Sequence, residues 1–313
     1  MKKHRIVTYL LFIFITLFKI TASQIALTPK FDCGRLGDRL LNYSKAKFIS
    51  YKYKIPMVMK LSEAMQFEQF PLLEKLNTIY ENFEDHFNET IDVYSKKDFD
   101  SKLKSLDKEK NILFLISWFL DVDPYKEKIK DKNFEEELKT CLKPKVNQKN
   151  KFKIKKDVNN VAVHIRRGDI KYDKTFPLKS PPIKFYCDQI INLSNYLNNG
   201  PINIYIFTDE ENKEELLSKL KDKVNIKNIN YILKDSNPND INSILEDMLD
   251  ISELDYLIRP CSSFSKISQY LGNHSVIISP MSCTFHDDKL FITSIQIHIR
   301  KDGKLFELVY STT

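Results

Sequence analysis

The chain has 313 residues, with 49 Lys and Arg against 42 Asp and Glu, for a formal net charge of +7. A hydrophobic share of 42% with 21 Phe and 15 Tyr can bury a real core and excludes a disordered chain, while 6 Gly and 12 Pro exclude collagen-like and low-complexity classes. The five Cys, Cys33, Cys141, Cys187, Cys261 and Cys283, form no CxxC pair, which argues against a structural zinc site and against a disulfide-stapled mini-domain.

Residues 1–23 open with Lys2, Lys3 and Arg5, continue in a largely apolar run from Ile6 to Phe18, and end near the small residues Ala22 and Ser23. That is the order of a secretory signal. The run is shorter than the ~20 residues that span a bilayer, and Lys19 interrupts it, so a cleaved signal peptide and an uncleaved signal-anchor that holds the chain to a membrane are both open. The basic start predicts a cytosolic N-terminus and a translocated remainder. Four Asn-x-Ser/Thr sequons follow, at Asn42, Asn88, Asn192 and Asn273. Elsewhere Lys alternates with Glu and Asp, as in KEKIKDKNFEEELK (126–139), a solvated face rather than a nucleic-acid patch.

From 24 to 155 the pattern reads as mainly helical, with an apolar stripe through Leu40, Leu41, Ala46, Phe48 and Ile49 and an apolar run NILFLISWFL (111–120). The basic stretch 143–157 reads as a linker. Beyond it, strands are predicted at 161–165, 202–207, 255–258 and 276–278, separated by helical patterns at 210–221 and 241–252. Strands alternating with helices argue for a parallel sheet covered on both faces, Rossmann-like but without the GxGxxG loop of a nicotinamide enzyme. Ligands of such sheets gather at the carboxyl ends of the strands.

Three strand ends carry chemistry. In HIRRGD (164–169), alternation puts His164 and Arg166 on one face, and a planar guanidinium there can clamp two phosphate oxygens. In FTDE (207–210), Thr208 with Glu211 fits a capping box for the next helix, so this segment supports the fold more than the chemistry. In SSFS (262–265), hydroxyls and free N–H groups at a helix start make an anion site, although an ordinary N-cap needs only one of them. An Arg pair facing a hydroxyl-rich helix start suits a diphosphate, and the absence of GxxxxGK[ST] argues against an NTPase.

These blocks, in this order, resemble the inverting GDP-fucose fucosyltransferases, and most of all the alpha-1,2-fucosyltransferase family. HIRRGD resembles that superfamily's HxRRxD signature; GRLGDRLLNY (34–43) is similar to its opening loop and helix; IYIFTDE (204–210), CSSFSKISQYLG (261–272) and VIISP (276–280) resemble its later blocks. The resemblance implies an α/β, GT-B-like fold of two Rossmann-like halves, with residues 24–155 as the acceptor-side domain and 156–313 holding the nucleotide sugar. It implies GDP-fucose as donor, no cofactor and no metal, a glycan acceptor, and transfer to galactose with inversion. By position, Arg166 binds the donor's beta-phosphate, and His164 and Arg167 help seat the nucleotide. Ser263, Phe264 and Ser265 line the phosphate and guanine pocket, and Asp247 matches a guanine-binding Asp. Gly34, Gly37 and Asp38 approach the donor across the cleft. Asp38 stands where the family has Asn, and Lys266-Ile267 where it has an aromatic pair.

In an inverting transfer, Arg166 meets charge that grows on the leaving diphosphate, and a carboxylate takes the acceptor proton, with Asp169 and Asp173 as the nearest candidates. Two alternatives stand beside this reading. One is a metal-dependent glycosyltransferase of the GT-A type using Asp121 and Asp123 as a DxD pair. The other is a catalytically silent carbohydrate-binding relative. Because GDP-sugars are made in the cytosol, a translocated enzyme implies a Golgi-type lumen with imported donor, or export if the signal is cleaved.

Overall fold

In the computed structural model, residues 24–32, 34–76, 78–107, 109–146, 154–155, 157–171 and 173–312 are described. The signal-type segment 1–23 and much of the basic stretch 143–157 lie outside the described residues. No helix among the described residues is long and apolar enough to cross a membrane. The chain packs as two compact units, one made of residues up to Phe31, Lys45–Gln66 and Leu76–Val122, the other of Asp32–Ser44, Phe67–Lys75 and Asp123–Thr313. This grouping differs from a linear division at 155/156.

The first unit is not mainly helical. Its strands are β1 (Ile25–Pro29), β2 (Val58–Lys60), β3 (Thr78–Tyr80), β4 (Glu89–Val93) and β5 (Ile112–Ile116). The helix α1 (Leu36–Tyr53), whose residues to Ser44 belong to the second unit, follows β1, a short α2 (Leu61–Ala64) follows β2, and α3 (Lys96–Lys104) joins β4 to β5. All pairings are parallel: β5 lies between β1 and β4, β2 pairs with β3, and a bridge from Leu27 to Met57 ties that pair to β1. The apolar run at 111–120 is therefore mostly a central strand, Ile112–Ile116, and a continuous apolar run is what burial on both faces demands. Ala26, Val58 and Leu113 pack with Phe83 and Phe87 to form its core.

In the second unit α4 (Pro124–Lys130) and α5 (Lys132–Leu142) precede β6 (Asn159–Ile165), α6 (Ile183–Tyr196) and β7 (Ile202–Thr208). Then come α7 (Lys213–Val224), β8 (Ile229–Leu233), α8 (Ile241–Glu253), β9 (Tyr256–Ile258) and α9 (Ser263–Leu271). The chain ends in three long strands, β10 (Val276–His286), β11 (Lys289–Lys301) and β12 (Lys304–Ser311). The seven-stranded sheet runs β12-β11-β10-β9-β6-β7-β8, parallel from β10 to β8 and antiparallel in the terminal ribbon. Val161, Val163 and Ile165 of β6 and Ile204 and Ile206 of β7 are all buried in one core with Phe185 and Ile190 of α6. Each such side chain contributes about 1.5–3 kcal/mol, so these two strands anchor the strand ends that follow.

The mixed α/β, GT-B-like class expected from the sequence is what the structure has, in two parallel-sheet units. Two local expectations are corrected. The helix after β7 starts at Lys213, not 210: Asn212 caps it by accepting from Glu215 N at 3.1 Å, and its amide donates to Glu215 Oε2 at 3.0 Å. Thr208 instead accepts from Glu210 N at 3.1 Å within the turn. The strand predicted at 276–278 continues to His286, and the ribbon beyond it was not anticipated. Its turns, Asp287-Asp288 and Asp302-Gly303, hold positive φ at both positions, the conformation that matches the twist of a two-residue hairpin.

Candidate functional site

Within the second unit β7 and β8 lie to one side of β6, and β9 and β10 to the other, so the strand order reverses beside β6. A crevice opens at the carboxyl ends of the strands at such a switch point. A cavity of about 340 Å³ lies there, and its whole wall belongs to this unit.

β6 supplies the first contributors. His164 and Arg166 are in the cavity wall, while Ile165 between them is fully buried in the core, as strand alternation requires. The His164 ring lies 5.3 Å from that of Phe264, and its Nδ1 is buried without a hydrogen-bond partner. Burial pushes its pKa down to about 4, against the pull of Asp209 and with help from Arg166 and Arg259, so the imidazole is neutral near pH 7.

Arg166 is held rather than solvated. Its side chain is 17% exposed, and its guanidinium donates to Asp169 at 3.3 Å. Asp169 also pairs with Arg35, and these two guanidiniums, Arg35 first, hold its carboxyl below the usual range. The turn after β6 is fixed by Asp209 at the end of β7, which accepts from Arg167 N at 2.6 Å and Gly168 N at 3.0 Å.

The N-terminus of α9 forms another wall. Ser262 stands at the N-cap, yet its side chain makes no capping bond; its hydroxyl is buried without a partner. Ser263 and Phe264 follow in the wall, where the first N–H groups of a helix have no intrahelical acceptor and favour an anion. Gly37, in the first turn of α1, is closely packed here: a Cβ on it would stand 2.8 Å from Phe264 N. Gly34 has φ +79, and a side chain there would also collide with Asp38. Asp38 lies in the wall and accepts from Arg35 N at 3.2 Å.

Asp247 of α8 completes the set. It is 8% exposed and accepts from Ser236 Oγ at 2.7 Å. Burial pushes its pKa up to about 7, opposed by Ser236 and Lys234 and aided by Asp250. A buried acid poised between its two forms in a cavity is a group that a ligand's N–H donors can recruit.

The sequence-predicted residues His164, Arg166, Gly37, Asp38, Asp247, Ser263 and Phe264 thus share one wall. Arg167, Asp169, Asp173, Gly34 and Ser265 are not in it. Ser265 is fully buried, its hydroxyl donating to Ser262 O at 3.3 Å. Asp173 accepts from Thr175 N at 2.7 Å, and Arg167 lines a separate groove. Arg35, Asp209 and Ser236 were missed. The acidic residue after an apolar strand was the available signal for Asp209, whereas Ser236 carries none. The Asp121 and Asp123 carboxylates are both engaged by backbone: Asp121 accepts from Lys96 N at 2.7 Å, and Asp123 caps α4 by accepting from Tyr125 N at 3.1 Å. Among the described residues no group of three or more His, Cys, Asp or Glu could hold a metal ion.

No protein-family model and no curated protein matches this sequence. Among solved structures the chain is similar to a mutant of Arabidopsis thaliana FUT1 in complex with GDP, at 12% identity and a TM-score of 0.53, over 82% of this chain and 71% of that one. It also aligns with the fucosyltransferase NodZ from Bradyrhizobium, at 13% identity, TM-score 0.41, 87% and 98% coverage. POFUT1 in complex with GDP-fucose follows at 10% identity, TM-score 0.42, 81% and 95% coverage. The first of these is a likeness of fold.

Proposed function

We propose that this chain is a glycosyltransferase that moves fucose from GDP-fucose to a hydroxyl of a glycan, with inversion and without a metal ion. The observation that carries the reading is the cavity at the switch point. An Arg fixed by a carboxylate, a helix start with unspent N–H groups and a half-titrated buried Asp line one space of diphosphate-nucleoside character. The fold shared with a structure that holds GDP supports the same donor.

In this mechanism the acceptor oxygen bonds to C1 of fucose as the C1–O bond to GDP breaks, and the electron pair leaves on the beta-phosphate. Arg166 and the α9 N-terminus meet that growing charge. His164, neutral, supplies a hydrogen bond rather than a proton. Asp247 with Ser236 takes the guanine N–H donors. Asp169, paired with Arg35 and Arg166, is a poor base and acts by orienting Arg166. Asp173, whose carboxyl the Thr175 backbone N–H also holds below the usual range, is the other candidate to receive the acceptor proton. The resemblance of the ordered blocks, from GRLGDRLLNY (34–43) to VIISP (276–280), to the alpha-1,2 family supports galactose as the acceptor sugar and the 2-hydroxyl as the target. It also supports residues 24–155 as the acceptor side and 156–313 as the donor side. Residues 1–23 support a secretory route, with the catalytic units in a Golgi lumen or exported.

The test is turnover of a panel of GDP- and UDP-sugars with galactose-terminated acceptors, with and without EDTA. GDP-fucose turnover that EDTA leaves unchanged is expected. UDP-sugar turnover abolished by EDTA would transfer the chemistry to Asp121 and Asp123. Binding of glycan with no turnover of any donor would leave a silent binder.

A further inference from the structure

The first unit has a strand end of its own that the donor cavity does not use. Its strands lie in the order β3-β2-β1-β5-β4, all parallel, with the β2–β3 pair tied to β1 by the Leu27–Met57 bridge. The chain builds to one side of β1 as far as β3 and then places β4 on the other side, so this sheet also reverses, beside β5. Ligands of parallel sheets gather at the carboxyl ends of the strands at such a point. There β5 leads into Ser117, Trp118, Phe119, Leu120 and Asp121. Phe119 is 77% exposed, more than any other large apolar side chain among the described residues.

A single exposed apolar side chain is ordinary, but three observations set Phe119 apart. Its backbone is fixed: Ser117 N donates to Val93 O at 2.9 Å, Phe119 N to Ser117 Oγ at 3.2 Å, and Leu120 N to Ser117 O at 3.1 Å. Lys45 Nζ donates to the Trp118 carbonyl at 2.7 Å, so the turn is held from the helix side as well. A guest that meets a ring on so fixed a turn loses little free energy in ordering it. Second, a carboxylate follows. Leu120 is buried between exposed Phe119 and exposed Asp121, and this alternation turns the ring and the carboxylate outward. Asp121 Oδ1 accepts from Lys96 N at 2.7 Å, which orients the group, and Oδ2 has no partner among the described residues. Third, β4 pairs with β5 through Val93 and Ile116, and the next residue, Tyr94, brings a 52% exposed ring to the same end of the sheet.

These groups select the guest. An aromatic face is the negative part of the ring's quadrupole and attracts the slightly positive hydrogens on the C–H face of a sugar. A carboxylate accepts from hydroxyls and disfavours an anion. One ring beside a carboxylate is too small and too polar an area for a stable protein interface or a lipid face. We propose that the turn after β5 binds a pyranose of the acceptor glycan, its C–H face on the Phe119 ring and its hydroxyls donating to Asp121; the acceptor role rests on the fucosyl-transfer reading above.

The experiment uses the full chain. It measures binding to an immobilised panel of galactose-, glucose- and N-acetylglucosamine-terminated oligosaccharides without donor, with GDP affinity and Tm in parallel. Phe119→Ala is expected to weaken glycan binding about tenfold and Phe119→Trp to retain it. Asp121→Asn, which keeps an oxygen for Lys96 N, is expected to weaken it about threefold. GDP affinity and Tm should stay unchanged in all three. Glycan binding that Phe119→Ala and Asp121→Asn leave unmoved, or no binding to any panel member while GDP binds, overturns the site. Binding that is lost in Asp121→Asn and with EDTA but kept in Phe119→Ala also overturns it, in favour of a metal at Asp121. Glycan binding that follows the variants in a protein that binds no GDP overturns the donor reading and leaves the sugar site standing.

Discussion

The parallel interior of the second unit's sheet and its terminal ribbon differ in what surrounds them. β6 and β7 are buried on both faces, so each residue that emerges from their carboxyl ends has a fixed direction: His164 and Arg166 into the cavity, Asp209 onto the turn. In the terminal ribbon of the same sheet β12 is mostly exposed and β11 is half-buried, and Phe291, Phe306, Leu308, Val309 and Tyr310 are exposed. The difference teaches where precision is affordable. A parallel core fixes groups that must meet a developing charge, whereas an exposed ribbon can offer contact area without such restraint.

The sharpest test of that contrast is Arg166→Ala. It is expected to lower kcat about 10²–10³-fold, the loss typical of a group aimed at transition-state charge, with stability altered by no more than about 0.5 kcal/mol. Arg166→Lys is expected to restore little, since a point charge cannot grip two oxygens at once. Steady-state kinetics and a melting curve on both variants check this. A ribbon substitution that cost kcat as much would erase the contrast.

Asp247 gives the next effect, read as pH dependence. Its folded pKa, about 7, lies above the ~3.9 of an unfolded Asp. The folded state therefore binds the extra proton between those values, and Asp247 makes stability fall as pH rises through that window and level off above it. Guanine N–H donors favour the ionised form, so GDP affinity is expected to rise towards pH 7, by up to about tenfold per unit below it. Asp247→Asn should flatten both profiles. Calorimetric titration from pH 5 to 8 measures the affinity, and an unchanged slope in the variant would remove Asp247 from the nucleotide site.

Arg35 should matter less. It touches Asp169 from an exposed position, and exposed ion pairs contribute ~0.2–1 kcal/mol, so Arg35→Ala is expected to lower kcat only about two- to fivefold. The smallest effect concerns the sequons. Asn88, Asn192 and Asn273 are exposed and Asn42 is fully buried in α1. Expression in a eukaryotic secretory host should place glycans on the three exposed sites and none on Asn42, with little change in activity; peptide mapping reads the occupancy.

HIRRGD was legible in the sequence because a buried strand must alternate and its first charged residues must lie at its end. The helix after β9 was legible from its serines and the Gly that stops it. In the first unit, Ile112–Ile116 could not be told from a buried helix, since a short apolar run has the same composition in either state. The ribbon left a period-two signal, in Ile295, Ile297 and Ile299 between Gln296, His298 and Arg300, with Asp-Gly at its turn.

The sequence by itself determined the alternating strands and helices, the residues at the strand ends and the charge of each, because these depend on local periodicity. Only the tertiary structure decided that Arg35 and Arg166 share Asp169, that Ser236 meets Asp247, and that Arg166 and Arg167 line different spaces. Those are contacts between segments up to 134 residues apart, set by sheet order and packing, which no local pattern encodes.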